Sequence, residues 1–121
     1  MDSETTLQDL KNEVKKFCEE RDWDKYHNPK DLSIGIITEA SELLEHFRFK
    51  SEDEAKAFLD DEIKKEAISD ELADILFFVL RLAQKYDIDL AISVSRKLEK
   101  NKKKYPIEKS KGSNKKYTEF D

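Results

Sequence analysis

The stretch that decides the fold is DELADILFFVLRLA, residues 70–83. Its section from Ile75 to Leu82 is apolar nearly all round, a pattern typical of a helix that is covered on every side. Two acids at its start, Glu71 and Asp74, stand three positions apart and therefore share one helix face. Carboxylates beside such an apolar run are costly unless cations or a metal ion accompany them. The stretch therefore predicts a buried helix with an acidic site near its start.

The rest of the chain has the composition of a helical bundle. Its 121 residues suit one domain, only two glycines and two prolines occur, and 42% of the residues are charged. Apolar residues recur at three- and four-residue steps between the charges, which predicts amphipathic helices. We expect an all-α bundle of four to five helices, at about residues 3–20, 31–48 (capped by Asp31), 52–59, 61–86 and 90–104.

A second acidic pair lies in the second predicted helix. Glu39 and Glu42 have the same spacing as the pair in residues 70–83, so each helix presents two carboxylates on one face. Oxygen ligands alone suit hard cations such as Mg²⁺ or Mn²⁺, and neither histidine has the spacing of a di-iron site. The alternative is that these are surface acids of a highly charged protein.

Helical projection extends each acidic pair into a stripe. A third stripe, basic and amide-bearing, follows on the last predicted helix. Together the three stripes could form a pocket with counterparts for a metal, a base and phosphates. Their members are Gly35, Glu39, Glu42 and His46; Ala67, Glu71, Asp74 and Phe78; and Ser93, Lys97, Asn101 and Lys104.

Positive charge is concentrated towards the end of the chain. Residues 96–116 carry ten Lys or Arg and two Glu, although the whole chain has a net charge of −5. Such a segment suits a phosphate-bearing ligand or a solvated tail. We expect a domain over residues 1–106 and a basic, flexible tail over 107–121. Nucleic-acid binding through residues 100–116 is a further hypothesis, which the acidic remainder of the chain disfavours.

The single cysteine, Cys18, allows no intrachain disulfide, which favours a reducing compartment. The sequence has no apolar run long enough to span a membrane, and its acidic, polar start is unlike a signal peptide. We therefore expect a cytoplasmic protein with no membrane partner.

With these motifs assembled, the sequence resembles the MazG-like, all-α nucleoside triphosphate pyrophosphohydrolases. Their E-x-x-E, spacer, E-x-x-D pattern is matched by the two acidic pairs. Four longer segments resemble the dCTP pyrophosphatase branch: RDWDKYH at 21–27, TEASELLEHFRF at 38–49, residues 70–83, and KNKKKYP at 100–106. Phe49 and Phe78 stand where that branch often has Trp and Tyr.

The resemblance implies a fold, an activity and a set of site residues. A MazG-like bundle that assembles as a dimer or tetramer would cleave a (d)NTP, in this branch dCTP or a related pyrimidine deoxynucleotide, to the monophosphate and pyrophosphate, a house-cleaning role in the nucleotide pool. Mg²⁺, or Mn²⁺ in its place, would be held by Glu39, Glu42, Glu71 and Asp74. Trp23, His27, Phe49 and Phe78 would line the nucleotide pocket, and Lys97, Asn101, Lys104 and Tyr105 would contact substrate.

The implied reaction is metal-assisted hydrolysis at the α-phosphorus. Glu39 or Glu42 would polarise the attacking water, while Lys97 and Lys104 would stabilise charge on the pyrophosphate leaving group. The competing hypothesis is a non-enzymatic helical interaction module whose acids face a protein partner.

Overall fold

The regular structure consists of helices alone. The computed structural model describes residues 1–121, and it contains six α-helices, two short 3₁₀ turns and no strand. The all-α class is confirmed, with one short helix more than the four or five expected. The helices are α1 (Leu7–Glu20), α2 (Pro29–Glu45), α3 (Glu52–Phe58), α4 (Glu62–Lys85), α5 (Leu90–Lys104) and α6 (Ile107–Ser110), and the 3₁₀ turns are Asp24–Tyr26 and Tyr117–Glu119.

Most helix starts are set by a capping side chain. Thr6 and Asp9 form a reciprocal capping box, so α1 begins at Leu7 rather than near residue 3. The capping box predicted between Ser51 and Glu54 is present at α3. Asp89 accepts a hydrogen bond from the amide of the third residue of α5, so the predicted bounds of that helix are confirmed.

The start of α2 was predicted wrongly. Asp31 is not its cap, because the Asn28 side chain accepts the hydrogen bond from the Asp31 amide and Pro29 occupies the first helical position. Proline is well suited to that position, since its fixed φ is helical and the missing N–H would have no partner there. The helix also ends earlier than expected, at Glu45 rather than near residue 48.

The chain forms two compact units, residues 1–88 and residues 89–121. In the first unit, α4 packs against both α2 and α1. This pairing brings Glu39 and Glu42 of the α2 stripe close to Glu71 of the α4 stripe, while a pocket formed by the three stripes stays a prediction. The buried apolar residues of this unit are Cys18, Leu32, Ile68, Leu80 and Ala83.

The second unit contains α5, α6 and the second 3₁₀ turn. The Tyr105 ring packs edge-on against Tyr117 and Phe120, with ring centroids 5.8 Å apart in both pairs. The Lys109 ammonium donates a hydrogen bond to the Asp121 carbonyl oxygen at 2.8 Å. Residues 107–121 thus carry local structure of their own, while the domain boundary at 106 and the flexibility of the tail stay predictions.

No helix in the structure combines the length and the apolar character needed to cross a membrane.

Candidate active site

The centre of the site is a cluster of three carboxylates. Oxygens of Glu39 and Glu42 on α2 and of Glu71 on α4 all lie within 4.8 Å of one another. The three-residue spacing turns the first two to the same face, and the packing of α2 on α4 supplies the third. Like charges at this separation repel, and either protonation of one acid or a bound cation relieves that repulsion.

Two oxygens of the cluster lack any partner. Glu39 Oε2 and Glu71 Oε2 are buried and accept no hydrogen bond. Burial raises the pKa of Glu39 to about 7, helped by a hydrogen bond shared with Glu42 and by the negative charges of Asp74 and Glu71. A bound cation would relieve the repulsion between these acids, since one of them has a pKa near neutrality and two of their buried oxygens have no hydrogen-bond partner.

Asp74, the fourth predicted ligand, occupies a different position from the other three. Its residue is exposed and is not part of the three-oxygen cluster. Its charge nevertheless acts on the cluster, because it contributes to the raised pKa of Glu39. The structure therefore brings three of the four predicted ligands together and places the fourth within electrostatic reach.

His46 adds a nitrogen to the edge of the cluster. Its Nε2 lies 3.4 Å from Glu71 Oε1. The sequence placed His46 on the acidic stripe but did not number it among the site residues. The three clustered donors are hard oxygens, and unpartnered carboxylates of this kind fit a divalent cation such as Mg²⁺ or Mn²⁺.

Phe78 lies on the same face of α4 as Glu71. Its ring lies against Gly35 of α2 so closely that a methyl group at position 35 would meet ring carbons at 2.6 Å. Phe77 packs against it edge-on, with centroids 5.3 Å apart. The ring is thus held between the backbone of one helix and an aromatic neighbour.

Phe49 is an aromatic residue in an uncommon conformation. It has a φ of +63° and is 88% exposed. The Arg48 guanidinium lies 4.6 Å from its ring centroid. Left-handed backbone is unfavourable for a bulky residue, and such strain gathers at functional positions.

Trp23 and His27 lie at the two ends of the first 3₁₀ turn. Their rings meet edge-on with centroids 6.3 Å apart, and Trp23 also packs edge-on against Phe17 at 5.6 Å. Trp23 remains 38% exposed, so part of this residue is accessible to solvent. Three of the predicted pocket aromatics, Trp23, Phe49 and Phe78, thus lie in the first unit.

A cationic cluster on α4 was missed by the sequence analysis. Arg81 is almost fully buried and donates hydrogen bonds to His27, Asp24 and Gln84. Lys85 donates to the carbonyl oxygens of Asp24 and His27. A single arginine inside an apolar run was the signal that could have revealed it, because a charge there needs partners.

The remaining predicted residues lie in the second unit. Lys97 is exposed and Asn101 is half-buried. The Lys104 ammonium lies 4.9 Å from the Tyr117 ring centroid, so it contacts the aromatic group of Tyr105, Tyr117 and Phe120.

Comparison with known proteins was consistent across sequence and structure. A model of the MazG-like family matches residues 34–120. The chain is 35% identical over 118 residues to dCTP pyrophosphatase 1 of Bos taurus, covering 98% of this chain and 70% of that protein. It is 33% identical over 117 residues to dCTP pyrophosphatase 1 of Homo sapiens, covering 97% and 69%.

A solved structure agrees with this family in fold. The crystal structure of a pyrophosphatase from Archaeoglobus fulgidus DSM 4304 superposes with a TM-score of 0.77 at 38% sequence identity, covering 83% of this chain and 92% of that one. The family model, the relatives and the solved structure together place this helical protein in the class of all-α nucleoside triphosphate pyrophosphohydrolases. The chain belongs to the MazG-like family, which confirms both the resemblance and the predicted enzyme class.

Proposed function

We propose that this protein hydrolyses dCTP, or a closely related pyrimidine deoxynucleoside triphosphate, to the monophosphate and pyrophosphate with Mg²⁺. The observation that carries the proposal is the cluster of three carboxylates, two of them with buried oxygens that have no partner. The relatives named dCTP pyrophosphatase 1 support the choice of nucleotide.

The acids would serve two tasks, metal binding and acceptance of a proton. Glu39, Glu42 and Glu71, with Asp74 beside them, would hold Mg²⁺, or Mn²⁺ in its place. A bound divalent ion neutralises phosphate oxygens and lowers the pKa of water. Glu39 or Glu42 would accept a proton from the attacking water, since both lie in the cluster beside which that water would bind.

The aromatic residues would hold the base. Stacking of a base on an aromatic ring contributes about 1–3 kcal/mol and is tolerant of base identity. Trp23, Phe49 and Phe78 offer such surfaces, and the strained backbone of Phe49 supports a functional role for its exposed ring. Selectivity would then come from polar groups such as His27 and from the size of the pocket.

Substrate contacts from α5 are part of the same proposal. Lys97 and Lys104 would neutralise phosphate charge, and Asn101 and Tyr105 would add hydrogen bonds. Support comes from their types and from their match to the family pattern. A Lys97→Gln variant should raise KM for the nucleotide, whereas Lys111→Gln in the same basic segment should not.

We also propose that the protein acts as a homo-oligomer, a dimer or a tetramer. Several large apolar side chains of α2 and α4 remain exposed, with Ile37 69%, Leu44 62% and Leu72 53% accessible. Apolar surface of this kind is typical of subunit interfaces. Sedimentation showing a monomer at micromolar concentration would contradict the proposal. We expect the protein to act in the cytoplasm and to bind neither membranes nor nucleic acid.

The test is a substrate panel with Mg²⁺. Free phosphate released from dCTP, dTTP, dUTP, dATP and dGTP should be measured with and without added inorganic pyrophosphatase. Phosphate that appears only with the added enzyme identifies pyrophosphate as the product. We expect the highest kcat/KM for dCTP or another pyrimidine. A tenfold preference for a purine would contradict the pyrimidine assignment alone. Absence of any turnover and of any Mg²⁺-dependent thermal shift would favour the interaction module instead.

A further inference from the structure

The buried guanidinium of Arg81 organises the turn that carries His27. Its Nε donates to His27 Nδ1 at 2.9 Å, and its Nη2 donates to Asp24 Oδ1 at 2.9 Å. Nη1 donates to Gln84 Oε1 at 2.5 Å. Only 1% of the Arg81 side chain is exposed, so the guanidinium is fixed by partners on three sides.

The contact with His27 has a definite chemical sense. Arginine carries donors only and stays protonated in proteins, so the imidazole nitrogen that faces Nε must be the unprotonated acceptor. A neutral imidazole with an acceptor at Nδ1 carries its proton at Nε2. That second nitrogen forms no hydrogen bond within the chain and is free to donate to a ligand.

The charges around His27 hold the ring in this state. Burial lowers its pKa first, and the positive charges of Arg81 and Lys85 lower it further, against the opposing effect of Asp24. Lys85 on α4 also binds the His27 carbonyl oxygen, which anchors the backbone of the same residue. An imidazolium would lose the Arg81 hydrogen bond and place a third cation beside two others.

We propose that Arg81 is a positioning residue that holds His27 as the neutral Nε2–H tautomer, so that His27 donates an uncharged hydrogen bond to an acceptor on the base or sugar of the nucleotide. The assignment of a partner to Nε2 rests on the proposed function, in which His27 lines the nucleotide pocket beside Trp23. This uncharged hydrogen bond differs from recognition of a phosphate, for which a charged imidazolium would be the better donor.

The tautomer can be read without substrate. In a heteronuclear NMR spectrum of the imidazole nitrogens at about pH 7, wild-type His27 should show the pattern of the Nε2–H form. Arg81→Lys should shift His27 towards a mixture of forms, because a lysine ammonium cannot reproduce the fixed fork of the guanidinium. Arg96→Lys, at an exposed arginine of α5 that forms no ion pair, should leave the spectrum unchanged.

Kinetics test the donor. The amide nitrogen of Gln can occupy the place of imidazole Nε2, while that of Asn can occupy only the place of Nδ1. We expect His27→Gln to keep KM for the best substrate within about threefold and His27→Asn to raise it about tenfold, the effect of one lost hydrogen bond. Arg81→Lys should also raise KM with little change in kcat, and it should add little when combined with His27→Asn.

Each outcome decides one part of the inference. A wild-type spectrum of the Nδ1–H form or of an imidazolium would overturn it, as would equal KM values for the Gln and Asn variants. If Arg81→Lys does not fold, the wild-type spectrum and the two His27 variants still decide the tautomer and its donor role. A wild-type protein without pyrophosphate release would overturn the proposed function and the nucleotide partner with it, while the spectrum would still decide the tautomer.

Discussion

The two halves of α4 treat their charges in opposite ways. In the first half, Glu71 joins two glutamates of α2, and buried oxygens of Glu39 and Glu71 have no partner. In the second half, Arg81 is more deeply buried than any of these acids, yet its donors meet acceptors on His27, Asp24 and Gln84. One helix thus carries an unsatisfied acidic cluster and a satisfied cationic one.

The difference separates two roles for buried charge. A satisfied cluster orders its surroundings, because breaking it leaves donors and acceptors without partners. An unsatisfied cluster stores repulsion that a ligand can release. Removing a charge should therefore have opposite effects on stability in the two halves of α4, and only the acidic half should be indispensable for the reaction itself.

The largest effect is expected at the acids. Glu71→Gln, and likewise Asp74→Asn, should abolish turnover, with activity at saturating Mg²⁺ falling well beyond tenfold, or about 1.4 kcal/mol. The helical content should stay unchanged, and the metal-free variant should be at least as stable as wild type because like-charge repulsion is relieved. Pyrophosphate release and circular dichroism measure the two effects.

A matched control lies one residue away. Asp70 is exposed and precedes Glu71, so Asp70→Asn removes the same charge from the outer surface of the same helix. It should keep nearly full activity. Retention of more than a tenth of wild-type activity by Glu71→Gln would contradict a ligand role for that residue.

At the cationic cluster the expected loss is in stability. Arg81→Met should lower the free energy of unfolding by about 1–3 kcal/mol, the cost of leaving buried hydrogen-bond partners unpaired. Asp24 is 64% exposed at its side chain and stays solvated, which keeps the loss below that of a fully buried ion pair. Chemical denaturation gives the value.

The comparison variant for Arg81 is an exposed ion pair. Lys25 lies 3.2 Å from Asp22 with both side chains mostly accessible, so Lys25→Met should change stability by less than about 1 kcal/mol. If Arg81→Met were no more destabilising than Lys25→Met, the satisfied cluster would have no structural role.

A pH series tests the unsatisfied cluster in the metal-free protein. The folded-state pKa of Glu39 is raised to about 7, so its contribution to stability is present below its ordinary pKa and is lost as the pH rises through about 7. His27, whose pKa is lowered, contributes in the opposite sense, with stability lost as the pH falls below its ordinary pKa of about 6.5.

The two contributions can be separated by substitution. Denaturation with a chelator at pH values from about 5 to 8 should show a fall in stability towards high pH that is absent from Glu39→Gln. Adding Mg²⁺ at the upper end should recover the lost stability, whereas below about pH 7 binding of Mg²⁺ should also release a proton from Glu39. An unchanged pH profile in Glu39→Gln would argue against the raised pKa.

The smallest expected effect concerns the backbone of Phe49. Both Phe49→Ala and Phe49→Gly remove the ring, but only glycine adopts a φ of +63° without strain. The glycine variant should therefore be more stable than the alanine variant by about 1 kcal/mol, while both raise KM equally through lost stacking. Equal stability of the two variants would remove strain as a property of this residue.

The sequence predicted those parts of the fold that depend on neighbouring residues. The bounds of α5 and the capping box of α3 follow from local spacing and were confirmed. The start of α2 was wrong because an asparagine followed by proline was interpreted as loop, although proline is favoured at a first helical position. The clustering of Glu39 with Glu71 followed from projecting two periodic helices onto each other.

The cationic cluster could not be predicted in the same way. Arg81 meets Asp24 and His27, which are more than fifty positions earlier and lie in a short irregular turn. Helical periodicity gives no information about which turn will cross which face of α4. The sequence offered only the anomaly of one arginine among apolar residues, without the identity of its partners.

The close contact between Gly35 and the Phe78 ring restricts how this protein can diversify. Any side chain at position 35 would displace the ring, and even one methyl group would meet it at 2.6 Å. Positions 35 and 78 are therefore not independent: a larger residue on α2 becomes acceptable only after the aromatic residue on α4 has been exchanged for a smaller one. A change in the shape of this contact between α2 and α4 has to proceed through an ordered pair of mutations, in which the step on α4 comes first.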